Sequence, residues 1–142
     1  MNSTSAPVKQ EAGLTSRQLL AAIQEARTFF GIDPLYRIEL RMNVGGAAQL
    51  DNREGYLQTW IEVNLDYYQT SPHLIREDMA HEVAHLIGAE VLAVQKRMEP
   101  EWQYGSKDAR GGLLTDAIES QTVRLERLFI RERPGNPEGW PQ

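Results

Sequence analysis

Two histidines four residues apart, with a glutamate directly after the first, are the residues of this chain best equipped for chemistry: His81-Glu82-Val83-Ala84-His85. On an α-helix, positions i and i+4 lie one above the other on the same face, about 6 Å apart along the axis. Two imidazoles placed in this way can reach one metal ion, and Zn²⁺ accepts histidine nitrogens at about 2.0–2.1 Å. Glu82 is rotated by about 100° from His81, so its carboxylate falls beside a metal-activated water rather than on the metal. That is the place of the general base in the H-E-x-x-H pattern. The chain has three histidines, and two of them are here. Val83, Ala84, Leu86 and Ile87 surround them with apolar side chains. A buried helix is therefore expected, and buried histidines need polar partners. The plain alternative is a surface helix that carries these residues without an ion.

A catalytic zinc takes three protein ligands and keeps a further position for water. The chain has no cysteine, so the third ligand must be a histidine or a carboxylate. His73 precedes His81 by eight residues, about 12 Å along a continuous helix, and is read as a surface or capping residue. Downstream, Leu114, Ala117, Ile118, Gln121, Leu125, Leu128 and Phe129 recur at helical spacing. The same segment offers three acids. With about 100° per residue, Asp116 points away from the apolar stripe. Glu119 and Glu126 share its flank, with Thr115 and Thr122 between them. Glu119 lies nearer the helix start and is the expected third ligand. Glu126 is the second choice, and Glu101 in the preceding loop is another. The competing fate for Glu119 is an ion pair with Arg124 or another basic residue. Tyr104 and Arg124 are the nearby groups able to donate to an oxyanion.

These residues need elements to position them. Leu19, Leu20, Ile23, Ala26, Phe29 and Phe30 predict a first helix, with Thr15 or Ser16 as N-cap and Gly31 as its stop. After the Asp33-Pro34 turn, Tyr36, Ile38, Leu40, Met42 and Val44 alternate with polar residues, which is the period of a half-buried strand. Gly45-Gly46 turns the chain, residues 47–50 suggest a short strand, and residues 51–55 form a turn cluster. Residues 56–65 are again strand-like, with Leu57, Thr59, Ile61, Val63 and Leu65 on one face. A small, twisted, mostly antiparallel sheet is expected. Ser71-Pro72 opens a helix that should run to about residue 97, with a soft point at Gly88. Residues 101–112 read as a loop and 113–131 as the carboxylate-bearing helix. The fold class is α+β.

With 142 residues, one domain is expected. It is placed at 14–133, with a disordered lead-in at 1–13 and a flexible tail at 134–142. The net charge of −5 argues against a nucleic-acid partner held by a general basic surface. No run approaches the apolar length of a membrane span, and residues 1–10 lack the apolar run of a secretory leader. Cytoplasmic residence is the default expectation, with export by a signal-less route left open, and a monomer is assumed.

The order of helix, small sheet, H-E-x-x-H helix and carboxylate helix resembles the minimal zincin core, and is similar to that of small gluzincin-like zinc metallopeptidases. Residues 81–88 also resemble the opening of the metzincin signature, H-E-x-x-H-x-x-G-x-x-H, but its last position falls on Val91, which cannot bind zinc. Tyr104-Gly105 is similar to a feature of the aspzincins, whose ligand position would fall on Glu101. The gluzincin resemblance implies a Zn²⁺ cofactor held by His81, His85 and a glutamate of the following helix. It also implies a peptide or protein substrate, and Glu82 as the base in peptide-bond hydrolysis. The strand before the metal helix, residues 55–65, would then be the edge that pairs with extended substrate. The alternative is a zincin-like module that binds zinc or a protein partner without catalysis.

Overall fold

The strongest apolar patterns of the chain become its central elements. The structure, a computed structural model, describes residues 8–43, 45–52 and 58–135. Of the lead-in expected over 1–13, the turn cluster over 51–55 and the tail over 134–142, residues 1–7, 53–55 and 136–142 lie outside the described residues. Helix α1 (Ala12–Phe29) buries Leu19, Ala22, Ile23 and Ala26 along one face. Gly31, at φ 67°, follows its C-cap Phe30, as a left-handed stop position requires. The helix starts earlier than its cap signals predict. Its N-cap is Glu11, and the Thr15 hydroxyl donates to the Glu11 carbonyl at 3.1 Å instead of capping. The cause is the preceding segment. The Gln10 N–H donates to the Gln69 carbonyl at 3.0 Å, and the Gln10 side chain donates to Thr15 and Gln18.

Strands β1 (Arg37–Met42), β2 (Ala48–Asn52) and β3 (Gln58–Val63) form a sheet of order β1-β3-β2. The sheet is mixed rather than mostly antiparallel: β3 runs parallel to β1 and antiparallel to β2. Alternation along a strand fixes which face is buried, not which neighbour it takes. Thr59, Ile61 and Val63 are fully buried, so β3 takes the centre, while Arg37, Glu39 and Arg41 keep β1 at an edge. The expected substrate edge at 55–65 is thereby corrected. β3 has a partner on both sides, and the free edge on the side of the histidine-bearing helix belongs to β2.

Helix α2 (Leu65–Thr70) stands where the sequence reading continued a strand to Leu65. Asn64 caps it by accepting the Tyr67 N–H at 3.3 Å, and the buried Tyr68 donates to Asp78 at 2.8 Å. A 3₁₀ turn (Pro72–Leu74) leads into α3 (Ile75–His85). The chain tightens to 3₁₀ again at Leu86–Gly88, the expected soft point, before α4 (Ala89–Met98). Helix α5 (Ala109–Glu132) starts four residues before the predicted boundary, because Asp108 caps it by accepting the Gly111 N–H at 2.7 Å. Helix α3 is the hub. Its Ile75, Met79, Ala80 and Val83 are buried with α1, β3, Tyr68 and Phe129 of α5. No helix among the described residues is long and apolar enough to cross a membrane.

Candidate metal centre

One side of α3 is committed to the core by Ile75, Met79, Ala80 and Val83, and this leaves His81 and His85 turned toward α5. Their ring centroids are 5.1 Å apart, and the side chains are 25% and 15% exposed. Glu119 of α5 meets both. His81 Nε2 lies 3.6 Å from Glu119 Oε2, and His85 Nε2 lies 3.5 Å from Glu119 Oε1. The three ligand atoms all fall within 4.8 Å of one another. Two donors at zinc bonding distance and a tetrahedral angle are about 3.4 Å apart, so the donor set fits a zinc-sized ion. The donors are two imidazoles and a carboxylate, the set expected of a catalytic rather than a cysteine-rich structural site.

The other acids take other places. Glu126 faces the far nitrogen of the first histidine, with its Oε2 3.4 Å from His81 Nδ1, so it backs the ring rather than completing the ligand set. Asp116 is exposed. Glu101 pairs with Arg110 at 3.1 Å, so the aspzincin-like position is engaged away from the histidines. Arg124 is exposed, about 160° around α5 from Thr122. It therefore neither pairs with Glu119 nor reaches the site as an oxyanion donor. His73 is exposed in the 3₁₀ turn.

Tyr104 does reach the site. Its hydroxyl donates to Glu119, and its ring stands 6.5 Å from that of His85 at 72°. Burial and this bond to a carboxylate raise the phenol above its ordinary range. The loop that carries it is pinned to the same helix. The Gly105 N–H donates to Thr115 Oγ1 at 2.8 Å, with Gly105 at φ 84°. At Gly111 a Cβ would lie 2.4 Å from Ser106 Cβ and 2.6 Å from the Gln103 carbonyl. Only glycine allows the loop this approach.

Glu82 is 9% exposed. Burial pushes its carboxyl up to about 7; the His81 charge opposes this, Asp78 and Glu119 add to it, and the nearby Leu50 backbone N–H opposes it slightly. The sheet register brings that N–H to the edge of β2. The Asn64 N–H donates to the Ala47 carbonyl at 2.8 Å. Antiparallel alternation then turns the main-chain groups of Gln49 and Asp51 toward β3, and those of Ala48 and Leu50 to the free edge. Burial lowers the basicity of His85 while Glu119 raises it; the neutral imidazole favoured by burial is the form that binds a metal.

Sequence spacing singled out His81, Glu82, His85 and Glu119; the structure brings ligand atoms of His81, His85 and Glu119 within 4.8 Å of one another and buries Glu82 beside them. Spacing did not anticipate the Leu50 N–H, which has no residue-type signal, or the placement of Thr122 and Glu126 behind the rings. The seven-residue recurrence on the flank of α5 was the available clue to the latter. No known protein family, curated protein or solved structure matches this chain, and the reading of the site rests on its own geometry.

Proposed function

We propose that the chain is a zinc-dependent peptidase in which His81, His85 and Glu119 hold the ion and Glu82 is the general base. The observation that carries this reading is the convergence of two Nε2 atoms and one carboxylate within 4.8 Å, beside a second, buried carboxylate at Glu82. Bound Zn²⁺ would supply a Lewis acid for the scissile carbonyl and lower the pKa of a water to about 7. Glu82, itself held near neutrality, accepts a proton from the attacking water and returns it to the leaving amine; an acid–base group is most effective when its pKa lies near the working pH. The Tyr104 hydroxyl stands on the Glu119 side as the donor for the developing oxyanion.

An extended peptide chain suits the free edge of β2. Ala48 and Leu50 turn their main-chain N–H and carbonyl groups to that edge. Main-chain pairing at such an edge supplies affinity with little demand on sequence. Glu82→Gln tests the reading. One equivalent of zinc should stay bound while cleavage of a mixed peptide library falls by about 10²–10⁴-fold. Full hydrolysis by the variant would remove Glu82 from the chemistry. Zinc binding without cleavage by the wild type would reduce the chain to a zinc-binding module.

A further inference from the structure

The two imidazoles are backed by different groups, and both groups come from the helix face that carries Glu119. Residues 119, 122 and 126 follow one another at i, i+3 and i+7, the spacing of a single helix face. Thr122 is 2% exposed, and its hydroxyl donates to the Ile118 carbonyl at 2.8 Å. With that proton committed, the oxygen can only accept. The ring atom it faces is His85 Nδ1, at 3.4 Å. Glu126 Oε2 faces His81 Nδ1 at the same distance of 3.4 Å, and an ionised carboxylate has no proton to give. A neutral imidazole carries one N–H. An acceptor at Nδ1 holds that proton and leaves the Nε2 lone pair for an ion; both Nε2 atoms face Glu119, whose carboxylate competes for the proton as long as no ion stands between them.

We propose that Thr122 and Glu126 are positioning residues that accept the Nδ1–H of His85 and His81 when an ion is bound, and so orient both Nε2 lone pairs toward it. The proposal rests on the metal-centre reading above and deepens it. It also assigns an asymmetry. The charged acceptor behind His81 raises that ring's donor strength more than the neutral hydroxyl behind His85 raises the other. Glu126 is thus the more important of the two for affinity, although it does not touch the ion.

The test separates this inference from the reading beneath it. Ring-nitrogen NMR on zinc-loaded protein at about pH 8.5, where imidazoles are neutral, reports the Nδ1–H of each ring and the acceptor it meets. Wild type should show a hydrogen-bonded Nδ1–H on both histidines. Thr122→Val should move the Nδ1–H resonance of His85 alone, and Thr122→Ser should restore it. Glu126→Gln, whose amide can turn an N–H₂ toward the ring, should shift His81 alone. Competition with a chelating dye should then give zinc affinities lower by about 10-fold for Thr122→Val and up to about 100-fold for Glu126→Gln, with Thr122→Ser near wild type. An Nε2–H tautomer in wild type would overturn the proposal, as would variants with unshifted rings and wild-type zinc affinity. Wild type that binds no zinc would overturn the metal-centre reading itself, whereas zinc bound with unshifted variant rings would overturn the positioning roles alone.

Discussion

Glu82 shows how burial and chemistry meet in one side chain. Its carboxyl is lifted from the ordinary 4.5 to about 7, first by burial and then by the charges of Asp78 and Glu119. This has a measurable consequence for the stability of the metal-free chain. The folded chain keeps the Glu82 proton to higher pH than the unfolded chain does. The associated stability is therefore fully present below about pH 4.5 and is lost as pH rises through about 7. The loss is on the order of 3 kcal/mol. Urea unfolding of chelator-treated protein at a series of pH values should show that decline, and Glu82→Gln should flatten most of it. Asp78 and Glu126 are also raised by burial, so some slope should persist in the variant. A variant with the wild-type slope would contradict the placement of Glu82. At this scale the sequence was informative where spacing alone sets geometry, as for His81, His85 and Glu119. It was silent where the partner is a backbone group, as for the Leu50 N–H.

Two junctions decide whether the site is complete at the scale of elements. One is the contact of the loop before α5 with the first turn of that helix. Gly111 leaves no room for a side chain beside Ser106 and Gln103, and the same turn is capped by Asp108. Gly111→Ala should push the loop away and carry Tyr104 off Glu119. The expected result is a stability loss of about 1–3 kcal/mol in thermal or urea unfolding. Zinc should stay bound, and kcat should fall to match that of Tyr104→Phe, about 10²–10³-fold below wild type. A variant with wild-type kcat would show that the loop does not position the donor. Poor helix propensity predicts a loop at Gly111 and Gly112; both lie in α5, and close approach accounts for the glycine at 111 alone. The other junction is β2 against α3. Alternation disclosed the buried faces of β1 and β3, but strand order follows from which strand carries the fullest apolar face. The edge therefore passed from β3 to β2. Helix α2 was hidden because Leu65 prolongs the apolar alternation, although Asn64 was a legible cap.

The molecule as a whole holds α3 between α1 and α5, and a single residue ties the three together. Arg76 is 6% exposed. It pairs with Glu25 of α1, donates to the Arg133 carbonyl at 2.8 Å and to the Gly135 carbonyl, and lies over the Phe129 ring at 5.1 Å. These contacts fix the end of α5 on the start of α3, the two helices that carry His81, His85 and Glu119. Arg76→Ala leaves Glu25 and the helix-end carbonyls without their cation. It should cost about 3 kcal/mol in chemical denaturation and weaken zinc binding, whereas exposed Arg124→Ala should change neither. No spacing rule points to Arg76 in the sequence, because its partners come from both ends of the chain. The most direct measurement of the central claim is anomalous diffraction at the zinc edge from crystals grown with zinc. The account predicts one ion about 2.0–2.2 Å from His81 Nε2, His85 Nε2 and a Glu119 carboxylate oxygen, with Glu126 behind His81 and off the ion. Zinc bound through Glu126 in place of Glu119, or no ion between the two histidines, would contradict it.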